Sequence, residues 1–462
     1  MARRWNGKTL REILAIHSQR EFYDWLPRGA EDLIAAFSVA VWLLTPALMA
    51  VLAVRHPTLD YVFFTHPKLI HRYVFPASVL LAALACVLTA GRMRQAGARL
   101  GTALRHRPIH VLFLLLSVWM VASTTANGWS GSALFGEYVR EETVFSQLCY
   151  FLVLFPTASL LRSERGKRWL LRLHLLVSCV LVAAAFVLWD IQTASTLFYD
   201  WHHPFAAIYT NVNYYSYYLS LSVPLAAALF AAEEKPAWQA FAAAALAANA
   251  AALGVNRTMG GWVACFFAAV FLIVTYRIVD RKVNRRTLIA AAILLICFLI
   301  PAILTGNLQK NAAELLRDLG LIARQAEEAG HAGSGRWGIW KRTVALIVQH
   351  PLFGIGFEGI YVRDLSEYLR QTRPHNEYLQ YALFYGIPAG LLYLSGCFGV
   401  FLRALKHRAR LDRTSLACLT AAFGYLVSAF FGNTIFCTAP LLFLFLGMGC
   451  GGTHNGDTDQ TI

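Results

Sequence analysis

Twelve stretches of the chain consist almost entirely of apolar residues, and short polar segments separate most of them. About 20 helical residues cross the hydrocarbon core of a bilayer, and most of the stretches are near that length. The pattern therefore predicts an all-α, polytopic membrane protein. Its predicted spans are 31–54, 73–90, 109–126, 144–161, 169–190, 213–232, 237–253, 258–276, 288–305, 381–402, 414–431 and 436–450.

Composition supports this fold class. Of the 462 residues, 57% are hydrophobic and only 15% are charged, whereas soluble chains carry about a quarter charged residues. Intrinsic disorder, a secreted disulfide scaffold and an ordinary cytosolic enzyme are excluded. The nine cysteines lie in or beside apolar spans without paired spacing, so neither disulfides nor a metal site is predicted.

The net charge of +15 is placed asymmetrically along the chain. With the first span starting inside, the short inward loops hold 20 Lys and Arg in 51 residues, and the short outward loops hold 5 in 65. Positively charged loops stay in the cytoplasm. We therefore expect both termini in the cytoplasm, and the basic surplus to contact anionic lipid headgroups and no nucleic acid.

This topology divides the chain into a cytoplasmic N-terminal segment (1–30), nine spans (31–305), a large outward loop (306–380), three further spans (381–450) and a cytoplasmic tail (451–462). The stretch from Thr9 to Leu26 is interpreted as an interfacial helix or as a loosely ordered basic tail. Within the large loop, apolar spacing predicts helices at 308–329, 336–349 and 360–370. Pro374 suits the first turn of a helix that continues into the tenth span.

His375 is the first candidate for chemistry, followed by Asn376 and Glu377. At the start of a helix, unsatisfied N–H groups favour a phosphate and a neutral imidazole. Such an imidazole could accept a proton from a hydroxyl. The alternative is a histidine that only satisfies loop backbone groups.

Arg257, in GVNRTMGGW (254–262), and Arg336, in GSGRWGIWK (333–341), are candidates for binding a diphosphate through planar two-point hydrogen bonds. The alternatives are an arginine that reaches lipid headgroups and a solvated loop arginine. Arg140 is flanked by Glu137, Glu141 and Glu142, which favours local pairing.

Asn213 begins the sixth span among five tyrosines. Their rings could anchor the helix at the interface or stack on sugars, and the sequence leaves both readings open. Few charges lie inside the spans, which disfavours an ion-coupled transporter. The polar candidates gather on the outward face, as chemistry on a lipid-linked substrate requires.

Three motifs resemble the signature region of the O-antigen ligase and polymerase family: GRWGIWK (335–341), HPLFGIGFEGI (350–360) and PHNEYLQYALFYGIPAG (374–390). FGEYVREE and TNVNYYSYYLSLSVP are similar to family patterns near the fourth and sixth spans. Two positions depart from the family: Asn256 replaces a serine before Arg257, and Phe384 stands where an acid is common, nine residues after the histidine.

The resemblance implies a GT-C-like fold in a bacterial inner membrane, with about twelve crossings and one large periplasmic loop. It also implies transfer of a glycan from an undecaprenyl-diphosphate carrier to an acceptor hydroxyl, without a metal or other cofactor. His375 then acts on the acceptor and Arg257 and Arg336 hold the diphosphate, while Asn213, Asn376, Glu377 and Arg140 are further candidates for substrate contact. Lipid A–core is the favoured acceptor; a polymerase or a protein O-oligosaccharyltransferase, and outside this class a polysaccharide exporter or flippase, are the alternatives.

Overall fold

The structure, a computed structural model, describes residues 12, 15–16, 18–27, 29–55, 73–95, 108–136, 142–159, 163–194, 205–209, 211–281, 284–323, 330, 332–369 and 373–450. Its helices, in chain order, are α1 (Gln19–Trp25), α2 (Ala30–Arg55), α3 (Phe75–Gln95), α4 (Pro108–Asn127), α5 (Gly131–Phe135), α6 (Val144–Ser159), α7 (Glu164–Ala194), α8 (Val212–Ala232), α9 (Pro236–Val255), α10 (Met259–Asp280), α11 (Arg285–Leu304), α12 (Asn307–Ala323), α13 (Arg336–Gln349), α14 (Gly359–Val362), α15 (Ser366–Leu369), α16 (Glu377–Tyr385), α17 (Ile387–Lys406), α18 (Arg413–Ala429) and α19 (Ala439–Cys450).

Nine helices in these ranges are long and apolar enough to cross a membrane: α2, α3, α4, α7, α8, α9, α10, α11 and α17. The described residues contain helices and turns but no strand, which confirms the all-α, multi-pass class. The other three predicted spans correspond to shorter helices, α6, α18 and α19. Helix α19 has 12 residues, about 18 Å at 1.5 Å per residue, which is less than the hydrocarbon thickness. All of its residues are buried, so α19 lies inside the bundle.

The centre of the bundle is α8, whose residues 215–231 are all buried. It packs against α9, α10, α11 and α18. Close approach depends on small residues: a Cβ on Gly424 would overlap the carbonyl oxygen of Ser220, and one on Gly254 would overlap that of Phe298. The second contact joins α9 to α11, where a small residue permits close helix packing.

The predicted inward loops contact one another at one end of the bundle. Arg172 donates to both carboxylate oxygens of Glu233 at 2.9 and 2.8 Å. Thr414 donates to Glu164 at 3.1 Å. These contacts join α7 to the α8–α9 connection and to the start of α18, as alternating crossings require.

The predicted outward segments likewise contact one another. Asn256 donates to the carbonyl of Val212 at 3.0 Å, and Asn307 donates to that of Val255 at 2.7 Å. The end of α9 therefore meets the starts of α8 and α12. A span of about 20 residues places this group of loops about 30 Å from the inward group.

The large outward loop matches its predicted helices in part. Helix α13 has the predicted bounds. Helix α12 covers 308–323 of the predicted 308–329, and the remaining 324–329 lie outside the described residues. The single helix predicted over 360–370 is wrong, because two four-residue helices, α14 and α15, occupy the described part of it. At the N-terminus, α1 lies within the predicted interfacial helix, most of whose earlier residues lie outside the described ranges.

The prediction that one helix runs from Pro374 into the tenth span is wrong. Helix α16 begins at Glu377 with Asn376 as its N-cap, and Gly386 separates it from α17. Gly386 has φ +89°, which only glycine adopts readily. A Cβ there would also overlap the carbonyl oxygen of Leu352. The chain breaks because another segment of backbone occupies the space a continuous helix would fill.

That segment is the HPLFGIG turn, which docks on the end of α16 through backbone hydrogen bonds. Ile355 donates to the carbonyl of Leu383 at 2.9 Å, and Ile387 donates to that of Pro351 at 2.8 Å. From α4, Ser123 donates to the carbonyl of Phe353 at 2.7 Å. The glycine-rich motif is therefore a structural support that fixes the direction of α16.

Candidate functional site

His375 lies two residues before the first residue of α16, with φ +51°. It is half-buried. The prediction that His375 occupies the start of the helix is therefore wrong, because the helix begins two residues later. The N-cap is Asn376, whose side chain accepts from the N–H of Leu379 at 3.0 Å. His375 is therefore held by specific contacts to its backbone and ring and not by the helix terminus.

Asn433 makes those contacts from the short connection between α18 and α19. The N–H of His375 donates to Asn433 Oδ1 at 2.8 Å. Asn433 Nδ2 lies 3.3 Å from Nδ1 of the imidazole. One buried amide therefore holds both the backbone and the ring of His375, which offsets the strain of a left-handed non-glycine residue.

Arg336 is the first residue of α13 and is half-buried. Its Nη1 donates to the carbonyl of Gly333 at 3.2 Å. Its Nε is buried and has no hydrogen-bond partner among the described residues. Burial lowers the pKa of Arg336 from its ordinary value, and the neighbouring Tyr217 opposes that shift. An arginine stays charged at physiological pH, so the site holds a cation with an unused donor.

Tyr217 connects Arg336 to the segment that carries Asn433. Its hydroxyl lies 3.5 Å from the carbonyl oxygen of Phe431. A Cβ on Gly432 would overlap the same hydroxyl, so only glycine fits there. Arg336, Tyr217, Asn433 and His375 form a candidate polar cluster at one end of the bundle: Tyr217 contacts the 431–433 segment, Asn433 contacts His375, and the charge of Arg336 interacts with Tyr217.

Trp340 fixes α13 against the loop that carries His375. Its indole N–H donates to the carbonyl of Pro374 at 3.1 Å. Its ring packs edge-to-face on Phe430 with centroids 5.2 Å apart. Since Arg336 lies one turn earlier on the same helix, the tryptophan sets the position of the guanidinium relative to the imidazole.

Arg257 lies at the same end of the bundle but is engaged elsewhere. Its side chain is 48% exposed and forms an ion pair with Glu314 of α12. Its backbone carbonyl accepts from Asn311 at 3.0 Å. The preceding Asn256, which replaces the family's serine, is buried and donates to backbone carbonyls. The described contacts of Arg257 therefore place it beside α12.

A buried ion cluster that sequence reasoning missed supports the His375 loop. Arg373 donates to Glu358 at 2.7 Å, to Glu142 at 2.7 Å and to the carbonyl of Thr434 at 2.7 Å. Burial alone would lower the pKa of Arg373, but the two carboxylates outweigh burial and raise it. The only sequence signal was an arginine two positions before the candidate histidine.

Arg140 lies outside the described residues. Its predicted neighbour Glu142 accepts from Arg373 and, at 2.8 Å, from the hydroxyl of Tyr150. The carboxylate of Glu142 is therefore buried against Tyr150 and the distant Arg373, whereas the predicted pairing of Arg140 lies outside the described residues.

Glu377 is buried and accepts hydrogen bonds from Tyr393 and, at 3.0 Å, from Tyr425. Burial raises the pKa of this outer-loop carboxyl to about 7, while the two tyrosine hydrogen bonds oppose the shift. Phe384, where the family often has an acid, is fully buried and packs on Phe357. In this structure Glu377 faces the bundle interior, and Phe384 is a core residue.

Asn213 lies in the first turn of α8, and its side chain donates to Asn211 at 2.9 Å. It is partly exposed, as is Tyr214. The other four tyrosines around it are buried: Tyr209, Tyr215, Tyr217 and Tyr218. Those four rings therefore form core packing and are neither interface anchors nor open stacking surfaces.

The fold thus defines a multi-pass, all-helical membrane protein whose candidate polar cluster lies at one end of the bundle. Residues 241–394 match the family described as O-Antigen ligase. The resemblance indicated by the motifs is confirmed over this third of the chain, which includes Arg257, Arg336 and His375. No curated protein matches the chain.

Proposed function

We propose that the protein transfers a glycan from an undecaprenyl-diphosphate carrier to an acceptor hydroxyl at the extracytoplasmic face of a bacterial inner membrane. The observation that carries the proposal is the cluster of Arg336, Tyr217, Asn433 and His375. It combines a half-buried cation that has an unpartnered N–H with an imidazole on a rigid loop. Arg336 and His375 both lie in the region matched by the O-antigen ligase family.

The chemistry of the donor explains why a cation matters. A diphosphate leaving group gains negative charge as the glycosidic bond breaks, and a preorganised guanidinium stabilises that charge. Arg336 is the residue we assign to this contact. Arg257 would join it only if a bound diphosphate displaced Glu314 from its ion pair. The transfer needs no metal and is a single displacement with inversion at the anomeric carbon.

We infer the orientation of the protein in the membrane from the distribution of Lys and Arg among its loops. The end of the bundle with the cluster carries the loops poor in Lys and Arg, which insertion places outside the cytoplasm. The lipid carrier would then lie in the outer leaflet with its diphosphate at the depth of Arg336 and His375. Both termini would be cytoplasmic.

Acceptor choice is tested by reconstituting the full chain with a polyprenyl-diphosphate glycan. Lipid A–core, a second lipid-linked glycan and a serine-rich protein are offered separately, and we expect product on lipid A–core. Product only on the second glycan would instead indicate a polymerase, and product only on the protein an O-oligosaccharyltransferase. Movement of the glycan across the bilayer without transfer to any acceptor would contradict the proposal and support an exporter or flippase.

A further inference from the structure

The two contacts between Asn433 and His375 determine which ring nitrogen carries the proton. A backbone N–H can only donate, and it lies 2.8 Å from Asn433 Oδ1. The side-chain amide therefore has its oxygen towards the His375 backbone and its NH2 towards the ring. The opposite orientation of the amide would place two donors against each other.

The NH2 group of Asn433 also can only donate, and it lies 3.3 Å from Nδ1 of His375. Nδ1 must then be the acceptor and carry no proton. A neutral imidazole has one protonated nitrogen. In this arrangement the proton is on Nε2, so Nε2 is a hydrogen-bond donor.

Asn433 is itself held in place, so this preference is built into the fold. It is buried, and the adjacent Gly432 lies against Tyr217. The next residue, Thr434, donates its N–H to Gln380 at 3.2 Å and accepts from Arg373 at 2.7 Å. A rotation of the amide would lose the bond to the His375 backbone without a replacement.

We infer that Asn433 is a positioning residue that fixes His375 as the Nε2–H tautomer, so that the imidazole meets the substrate as a hydrogen-bond donor. The oxygen it suits is an anionic phosphate oxygen or the departing glycosidic oxygen of the lipid-linked donor. The ring makes a hydrogen bond and transfers no proton in this role, so the proton of the attacking hydroxyl passes to water as the glycosidic bond to the diphosphate breaks. The assignment of the substrate oxygen rests on the proposed function, whereas the assignment of the tautomer does not. This reverses the expectation that His375 accepts a proton from the acceptor hydroxyl.

The tautomer is measured by ¹⁵N NMR of the full chain with labelled histidine, at a pH where the ring is neutral. His375→Gln assigns the resonances by difference. We expect Nδ1 to show the shift of an unprotonated nitrogen and Nε2 that of a protonated one. A protonated Nδ1 in the neutral ring would overturn the inference, whether or not the protein transfers glycan.

Asn433→Asp provides the matched variant. One carboxylate oxygen still accepts from the His375 backbone, but the other now accepts where the amide donated, which moves the ring proton to Nδ1. We expect the NMR signature to reverse and kcat for glycan transfer to fall about tenfold, the effect of one lost charge-assisted hydrogen bond, with little change in KM. An unchanged tautomer in Asn433→Asp, or an unchanged kcat with a reversed tautomer, would contradict the inference. Absence of transfer by the unaltered protein, with the Nε2–H signature present, would count against the proposed function alone.

Discussion

Arg373 donates to the carboxylate of Glu142 at 2.7 Å although 231 positions separate them in the chain, and both side chains are 1% exposed. This ion pair joins the residues that precede α6 to the loop that ends at His375. Glu358 completes the cluster from the glycine-rich turn. Three segments from different parts of the chain are therefore joined at Arg373, two residues before the candidate histidine.

Arg373→Ala should strongly destabilise the fold, because it leaves two buried carboxylates without their cation. Breaking a buried pair in this way costs about 3–5 kcal/mol. The unfolding temperature of the detergent-solubilised protein measures the effect. Arg363→Ala is the control, because Arg363 is exposed and donates to Asn127 at the outer surface. Equal unfolding temperatures for the two variants would show that the buried cluster does not support the loop.

Trp340→Phe should lower glycan transfer while leaving the unfolding temperature nearly unchanged. The ring still packs on Phe430, but the hydrogen bond to the carbonyl of Pro374 is lost. One neutral hydrogen bond contributes about 1 kcal/mol, so we expect a several-fold loss of rate. Trp337→Phe, on the more exposed side of the same helix, should retain full activity. If the two variants transfer glycan equally well, the positional link between α13 and the His375 loop is not functional.

Glu377→Gln should change how stability depends on pH. The folded-state pKa of about 7 exceeds the ordinary value of 4.5, so the folded protein retains a proton that the unfolded chain releases. The contribution of Glu377 to the free energy of unfolding is largest below about pH 4.5 and falls as the pH rises towards 7. Above pH 7 it no longer changes. Unfolding temperatures between pH 4.5 and 8 should therefore fall less steeply in Glu377→Gln than in the unaltered protein. Glu234→Gln, at an exposed carboxyl, should follow the unaltered curve, and parallel curves for all three proteins would refute this assignment.

The sequence predicted the helices well because their signals are local. An apolar run of membrane length is visible in a single segment, and so is the spacing that marks α13 over 336–349. The break at Gly386 was missed because its cause is the backbone of Pro351 and Leu352, a separate turn that docks there. The sequence also carries a local signal for this break, because Pro388 lies in the first turn of α17, where proline favours a helix start.

The candidate site was predicted only in part for the same reason. Arg336 and His375 were identified from motifs, but Asn433, which holds His375, was singled out by no local pattern. Asn433 lies 58 positions from His375. Arg257 shared the chemistry expected of a diphosphate ligand, but its exposed ion pair with Glu314 depends on where α12 packs. Long-range contacts of this kind are determined by tertiary packing.

The most direct test of the proposed function compares Arg336→Ala with Lys341→Ala, an exposed cation on the same helix, in the reconstituted transfer assay. Loss of a guanidinium that contacts the leaving diphosphate should lower the rate about a hundredfold or more, whereas Lys341→Ala should match the unaltered protein. Normal transfer by Arg336→Ala, in a protein with an unchanged unfolding temperature, would contradict the account.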